Sequence, residues 1–148
     1  MYDFAAEFVP NGGTFVELGC WVGLSTTYLI TRLKALDKRI NLICVDSWKG
    51  SQGRDPRSDV YHVELLKQNN GDMYPQFKYH LDQRLIFDMV VPLMGKSVDV
   101  ASVFPPEQID FMYIDACHDY ESVTEDIVAW MPKIKRGGIM AGHDFDWP

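Results

Sequence analysis

The sequence has little positive charge. Lys and Arg number 14 against 21 Asp and Glu, which gives a formal net charge of −7 over 148 residues. Because a protein that binds a phosphate backbone needs clustered Lys and Arg, this balance argues against a nucleic-acid partner. No apolar run approaches the roughly 18 residues of a membrane-spanning helix, and no signal peptide is recognisable. These absences predict a cytoplasmic protein with no membrane partner.

Cysteine is also scarce. Cys20, Cys44 and Cys117 form an odd count without the spacing of a metal site or of a disulfide framework. Each lies in or beside an apolar stretch, so we expect small buried hydrophobic side chains. Internal repeats and low-complexity tracts are absent, and the 47% hydrophobic and 24% charged fractions are typical of globular proteins. The length predicts one domain over residues 1–148.

The excess of acidic residues is confined to the last third of the chain. Residues 1–100 carry 12 acids and 11 bases, whereas residues 101–148 carry 9 acids and 3 bases. Two interpretations stay open. The acids belong either to a solvated helix face or to a carboxylate-rich pocket for a metal or a cationic ligand.

Predicted strands alternate with predicted helices along the chain. Strands are predicted at 14–18, 40–45, 90–94, 111–114 and 139–141, and helices at 25–36, 58–68, 75–87 and 120–134. Ser25 is the expected N-cap of the first helix, and Ser122 with Glu125 fits a capping box for the last. This alternation implies right-handed crossovers and an α/β fold with a doubly wound, mainly parallel sheet.

Polar residues and glycines stand where these strands end. They are Glu17 with Gly19, Asp46, Asp115, and His143 with Asp144. In a doubly wound sheet, ligands bind outside the carboxyl ends of the strands, where the strand order reverses. The sequence therefore predicts a ligand site at this edge of the sheet.

The first turn carries two glycines, Gly19 and Gly23, which allow a sharp bend and a close approach to a ligand. Trp21 stands where a dinucleotide-binding motif has its second glycine, so it would crowd a pyrophosphate. Glu17 would repel a phosphate as well, but it suits a positively charged ligand. These residues disfavour a nicotinamide-dependent oxidoreductase. A tight turn without any ligand is equally consistent with the segment.

Asp46 closes the second strand and could accept both hydroxyls of a ribose. The alternative is an Asp that caps a loop or lies exposed. Trp48 follows at the start of the next loop. Its indole could stack on a base, although a tryptophan in this position also serves packing.

Asp115 and Asp144 follow two buried strands, and paired carboxylates there would make an oxygen-rich site for Mg²⁺ or Mn²⁺. His118 could be a ligand or a general base near neutral pH, or it could belong to the start of the following helix. His143 could be a third ligand or could bond only to backbone.

Four segments, 15–25, 45–50, 113–120 and 137–144, together resemble class I S-adenosylmethionine-dependent methyltransferases. The resemblance is to the small-molecule O-methyltransferase branch that includes macrocin O-methyltransferase and the cephalosporin hydroxylase-like proteins. It implies a Rossmann-like methyltransferase fold. It also implies methyl transfer from S-adenosylmethionine to a hydroxyl of a small molecule, assisted by a divalent metal.

The resemblance also implies roles for individual residues. Glu17, Gly19 and Gly23 would line the methionine end of the cofactor, and Asp46 would hold the ribose. Residues 95–97, with Ser97, would border the adenine. The resemblance further implies Asp115 and Asp144 as metal-binding acids and His118 as general base. From the residues themselves we add Trp48 and Asp115 beside the cofactor and His143 at the metal.

Class I methyltransferase sheets continue through a helix and two further strands, whereas this sequence ends after its fifth predicted strand. We therefore expect a fold without strands six and seven. The chain would be a fragment, or a minimal version completed by a second copy in a homodimer that pairs at the exposed sheet edge. A cofactor-binding domain without catalytic activity is the alternative function.

Overall fold

A computed structural model of the chain describes residues 1–51 and 60–143. Within them, one sheet has the five strands β1 (Thr14–Leu18), β2 (Asn41–Asp46), β3 (Val90–Met94), β4 (Ile109–Ile114) and β5 (Ile134–Gly142). The strand order is β3-β2-β1-β4-β5, and all four pairings are parallel. The predicted doubly wound parallel sheet is confirmed.

The helices lie between the strands, with one more before β1. They are α1 (Tyr2–Phe8), α2 (Leu24–Ala35), α3 (Val60–Gln68), α4 (Tyr74–Asp82), α5 (Ser97–Ala101) and α6 (Tyr120–Trp130), with 3-10 turns at Phe87–Met89 and Met131–Lys133. Among the helices of the described residues, none is long and apolar enough to cross a membrane.

Both faces of the sheet are covered, because successive strand side chains point to opposite sides. Phe15 of β1 stacks on Phe111 of β4, with ring centroids 5.3 Å apart, in a core shared with α1, α2 and α4. The next residues along these strands, Val16 and Met112, pack on the other face with Trp130 of α6. Burial on both faces explains why the strands are continuous apolar runs rather than alternating ones.

The strand order reverses at β1, which lies between β2 and β4. Leu18 at the end of β1 pairs with Ile114 at the end of β4. The two residues that follow, Gly19 and Asp115, are consequently neighbours, and a Cβ on Gly19 would lie 1.9 Å from the carbonyl oxygen of Asp115. Only glycine fits this approach of two chain segments.

Two predicted helix caps are wrong. Gly23, with φ +79°, is the N-cap of α2 and Ser25 lies inside the helix, so the turn geometry determines where this helix begins. In α6 the N-cap is Asp119, whose carboxylate accepts a hydrogen bond from the Ser122 amide at 2.9 Å. Since α6 begins at residue 120, Ser122 falls in its first turn and cannot serve as the cap.

Several element boundaries also differ from the prediction. β5 begins at Ile134, so Gly137 and Gly138 lie inside the strand instead of separating it from a helix. A Cβ on Gly138 would lie 2.9 Å from the Ile109 carbonyl oxygen, where the β4–β5 register shifts. The expected helix over 75–87 ends at Asp82, while the start of the one expected over 58–68 lies outside the described residues.

Candidate functional site

The turn after β1 is attached to the end of β2 through Asp46. One carboxylate oxygen, Oδ2, accepts hydrogen bonds from the amides of Cys20 at 2.9 Å and Trp21 at 2.8 Å. The other, Oδ1, accepts from the amide of Trp48 at 2.7 Å. Burial raises the pKa of Asp46, and these backbone donors oppose the rise because they bond to the charged form.

These contacts support an unusual backbone. Trp21 has φ 45° and Trp48 has φ 52°, in the left-handed region that costs an ordinary residue about 1–2 kcal/mol. The Trp48 indole Nε1 donates to the Trp21 carbonyl oxygen at 2.9 Å, so the two strained loops also bind each other. Strained backbone that is held by its surroundings is frequent at ligand sites.

Trp48 itself lies in the core. It is 0% exposed and packs against Tyr74 and Phe77, with ring centroids 4.9 Å and 5.0 Å away. The expectation that its indole stacks on a base does not fit this placement, because neither face is open. Trp48 therefore serves packing and holds the two loops together.

Glu17 is the last residue but one of β1, in the middle of the sheet, and it is 0% exposed. Its Oε1 accepts from the Tyr2 hydroxyl at 2.6 Å, and its Oε2 accepts from the Thr26 hydroxyl at 2.5 Å. Burial raises the pKa of Glu17, and hydrogen bonds from Ser25, Thr26 and Tyr2 oppose this. Sequence reasoning missed Tyr2 because α1 has only seven residues; buried Ala5 and Ala6 were its faint apolar signal.

Two thiols adjoin this carboxylate. In residues 1–51 and 60–143, the set of three possible metal-ligand atoms within 4.8 Å of one another comes from Glu17, Cys20 and Cys44, all buried. Cys20 Sγ donates to the Glu17 carbonyl oxygen at 3.4 Å, and Cys44 Sγ lies 3.9 Å from the Thr26 hydroxyl. Burial raises the pKa of the Cys20 thiol well above its usual value, and both carboxylate oxygens of Glu17 already accept hydrogen bonds from hydroxyls. Both thiols are buried as predicted, whereas Cys117 is half-buried.

The ends of β4 and β5 bring together three predicted residues. Asp115 Oδ1 lies 3.5 Å from His143 Nδ1 and 4.0 Å from His118 Nε2. Their side chains are 29%, 52% and 34% exposed, so this group opens to solvent, unlike Glu17. The two imidazole rings meet edge-on, with centroids 6.3 Å apart. Asp144 lies outside the described residues.

The resemblance implies that these side chains hold a divalent metal. A carboxylate suits Mg²⁺ or Mn²⁺, whereas imidazole is a poor ligand for Mg²⁺ and suits transition metals. Asp115 with His143 therefore fits Mn²⁺ better than Mg²⁺.

A cavity lies at the end of β3. Its volume is about 420 Å³, within the range of small-molecule sites, and it is lined by Leu93, Met94, Gly95, Asp99, Val100 and Val103. The lining is mainly apolar, and the cavity is widely open to solvent. Of these lining residues, Gly95 alone belongs to the segment 95–97 that was expected beside an adenine. Asp99 lies in α5, a helix of five residues that is too short to be predicted from the sequence.

The Ser97 hydroxyl forms hydrogen bonds with two other side chains of the protein. Its hydroxyl accepts a hydrogen bond from the Trp130 indole Nε1 at 2.7 Å and also bonds to Asp126. Ser97 thus joins α5 to α6.

Residues 16–145 match the family model described as a methyltransferase domain. Among solved structures, the O-methyltransferase NovP is similar with TM-score 0.68 and 23% identity, covering 98% of this chain and 61% of that one. The Trypanosoma brucei PRMT1 enzyme–prozyme complex with AdoHcy has TM-score 0.54 and 16% identity, covering 94% of this chain and 35% of that one.

A curated relative, the uncharacterized protein y4gI of Sinorhizobium fredii (strain NBRC 101917 / NGR234), is 24% identical over 129 residues. The match covers 87% of this chain but 13% of that protein. The chain thus spans less than two thirds of these relatives. Because the family model covers most of the sequence and the fold agrees with it, this chain belongs to the methyltransferase domain family.

Proposed function

We propose that the chain binds S-adenosylmethionine and transfers its methyl group to a hydroxyl of a small molecule. The observation that carries this proposal is the convergence of Glu17, Asp46 and Asp115 at the ends of β1, β2 and β4, where the strand order reverses. Acidic residues at this edge, of which Asp115 is partly exposed and Glu17 is buried, would repel a pyrophosphate. The crevice beside them suits a cofactor that carries a sulfonium and an ammonium group and no phosphate.

The residues divide between two ends of this crevice. Glu17, Gly19 and Gly23 stand at the turn proposed for the methionine end, and Asp46 is held by three amides at the proposed ribose position. The apolar cavity around Gly95 is proposed for the adenine. Trp48 and Ser97 would act indirectly, by holding the loops and helices that border the ligand.

Methyl transfer is a displacement at carbon and depends on an acceptor oxygen held in line with the methyl group. When bound, S-adenosylmethionine supplies that methyl on a sulfonium, and the S–CH₃ bond breaks as the O–CH₃ bond forms. We propose that His118 accepts the hydroxyl proton, since its ring is partly exposed beside the crevice. Asp115, 4.0 Å from Nε2, would stabilise the resulting imidazolium.

A divalent metal would be held by Asp115, His143 and Asp144, and it would lower the pKa of a coordinated hydroxyl. The contact between Asp115 and His143 supports this set. The further expectations also remain proposals: a hydroxylated small molecule as acceptor, no nucleic-acid or membrane partner, a cytoplasmic location, and a homodimer.

Calorimetry with S-adenosylhomocysteine tests the cofactor site. We expect the wild type to bind one equivalent, Asp46→Ala to lose binding, and Asp82→Ala, a surface carboxylate paired with Lys78, to bind as the wild type does. Circular dichroism verifies that each variant is folded. A folded wild type that shows no binding contradicts the proposal.

Methyl transfer to catechol and sugar hydroxyls, with and without Mn²⁺, tests the reaction. Transfer to any of these acceptors supports the O-methyltransferase. Cofactor binding without transfer to any acceptor supports the alternative of a cofactor-binding domain without catalysis.

A further inference from the structure

The carbonyl oxygen of Val22, in the turn that joins β1 to α2, is bound by a side chain from α4. It lies 3.0 Å from Nδ1 of His80. A carbonyl oxygen only accepts hydrogen bonds, so Nδ1 of His80 carries the proton. The other ring nitrogen, Nε2, lies 3.0 Å from the amide nitrogen of Gln76, which donates to it from one helical turn earlier. The two contacts together select the Nδ1–H form of a neutral imidazole.

This hydrogen bond falls where the turn has the least stiffness of its own. Gly23 follows Val22 with φ +79°, and glycine adopts positive and negative φ about equally readily. The Val22–Gly23 peptide group could therefore rotate, which would exchange the places of its carbonyl and its amide. Its amide donates to the Cys20 carbonyl oxygen at 2.7 Å, and His80 holds its carbonyl. The His80 bond consequently fixes the last peptide group before α2.

α4 gives this bond a firm base, because the helix contacts both loops of the proposed cofactor site. At its start, the Met73 amide donates to the Trp48 carbonyl oxygen at 2.8 Å, in the loop after β2. Further along, Phe77 and Leu81 fill the space beside Gly23, where an added Cβ would lie 3.0 Å and 2.6 Å from them. The helix is thus attached to the loop after β2 and packed directly on the turn after β1.

We propose that His80 is a positioning residue for cofactor binding, which keeps the turn after β1 in the shape that receives S-adenosylmethionine. This inference rests on the proposed function, because that turn is assigned to the methionine end of the cofactor. His80 does not need to touch the ligand. It acts through the Val22 carbonyl oxygen, and Gln76 acts through His80 by selecting the imidazole form that can donate.

Substitutions at His80 separate the hydrogen-bond donor from the bulk of the ring. In asparagine, the side-chain nitrogen lies as many bonds from the backbone as Nδ1 of histidine, so His80→Asn can still donate to Val22, whereas His80→Leu cannot. A turn that leaves its binding shape for part of the time binds its ligand proportionately more weakly. Calorimetry should show His80→Leu binding S-adenosylhomocysteine about three- to tenfold more weakly, as expected for one hydrogen bond. His80→Asn should stay within about twofold of the wild type.

Lys133→Met is the matched control. Lys133 Nζ donates to the Phe104 carbonyl oxygen at 2.7 Å, so this variant also loses one hydrogen bond between a side chain and a backbone carbonyl. The two residues precede β5 and β4, at the amino ends of the strands and opposite the proposed site. Urea denaturation compares the stabilities of Lys133→Met and His80→Leu, and only His80→Leu should lose affinity for S-adenosylhomocysteine.

Three results would overturn the inference. They are wild-type affinity in His80→Leu, equally weak binding by His80→Leu and His80→Asn, and an equal loss of affinity in Lys133→Met. If His80→Leu does not fold, His80→Ala takes its place with the same expected and contradicting results. A wild type that does not bind S-adenosylhomocysteine overturns the proposed function itself, so the two failures are distinguishable.

The ring nitrogens of His80 give a second readout, which needs no ligand. Nitrogen-15 NMR distinguishes an Nδ1–H from an Nε2–H imidazole, and comparison with His80→Asn identifies the His80 signals among those of the four histidines. Once the ring is titrated to its neutral form, we expect the Nδ1–H imidazole in the wild type. An Nε2–H imidazole would overturn the inference, because Nδ1 would then have no proton to donate to Val22.

Discussion

The carboxylate of Asp46 accepts a hydrogen bond from the backbone amide of Trp21 at 2.8 Å, which joins the end of β2 to the turn after β1. Trp21 has a left-handed backbone, and the bond helps to hold it there. A ribose at this position would meet a carboxylate that the protein has already oriented. One acidic side chain therefore organises the loop at the position proposed for the ribose.

The Asp46→Asn variant tests the structural part of this role. An amide nitrogen cannot accept from the amides of Cys20 and Trp21, so some buried donors lose their partner. We expect the free energy of unfolding to fall by about 1–3 kcal/mol in urea denaturation. Asp82→Asn removes only an exposed ion pair and should cost less than about 0.5 kcal/mol. Equal effects of the two substitutions would contradict this account.

Gly19→Ala and Gly12→Ala separate steric conflict from backbone strain. Both glycines have positive φ, near 80°, so alanine at either costs about 1–2 kcal/mol. Only at Gly19 does the added Cβ meet another chain segment, 1.9 Å from the Asp115 carbonyl oxygen. Chemical denaturation should show Gly19→Ala about 1–3 kcal/mol less stable than Gly12→Ala. Similar stabilities of the two variants would contradict the close contact between Gly19 and the Asp115 backbone.

Asp126→Asn should stabilise the protein at neutral pH. Burial raises the pKa of Asp126, repulsion from Glu125 and Asp119 adds to this, and a hydrogen bond from Ser97 opposes it. A carboxyl whose pKa is raised by folding stabilises the protein below its unfolded value and loses that contribution as the pH rises through the folded one. The variant's melting temperature should thus exceed that of the wild type at neutral pH.

Thermal unfolding from about pH 3 to about pH 8 measures this difference, which should vanish at the acidic end. High salt should reduce it, because salt screens the repulsion from the neighbouring acids. A lower melting temperature for Asp126→Asn at neutral pH would show that the ionised form makes a stabilising contact.

His118→Gln tests the proposed general base. Glutamine can still form hydrogen bonds but cannot take up a proton near neutral pH. In an assay with an acceptor that the wild type methylates, kcat should fall about 10²–10⁴-fold, while the Kd of S-adenosylhomocysteine stays unchanged. Full activity would exclude His118 as the base, and a loss of cofactor affinity would assign it to binding.

The metal assignment predicts the effect of Asp115→Asn and Asp144→Asn on Mn²⁺ binding. Each variant should bind Mn²⁺ at least about tenfold more weakly in calorimetry, because an amide replaces a charged ligand. Asp88→Asn, at an exposed carboxylate remote in sequence from both, should bind the metal as the wild type does. Undiminished binding in the two variants would refute the assignment.

Much of the fold could be predicted from the sequence, because the features that determine it are local. The apolar runs of β1, β2 and β4 can be recognised from neighbouring residues alone. The same holds for the acidic residues at or beside their ends, Glu17, Asp46 and Asp115. The short helices α1 and α5 could not be predicted in this way. Five residues in α5 and seven in α1 are too few for a helical period to be recognised.

The sequence by itself determined a parallel α/β sheet with carboxylates at its strand ends, because the strand pattern and the turn glycines are properties of consecutive residues. The tertiary structure decided what each polar side chain contacts. Tyr2 and Glu17 lie 15 residues apart, and their 2.6 Å hydrogen bond exists only because α1 packs across β1 and β4. Packing also buried Trp48 and left Asp115 open to solvent. Burial and hydrogen-bond partners depend on distant segments, and they distinguish the proposed roles of two acids that look alike in the sequence.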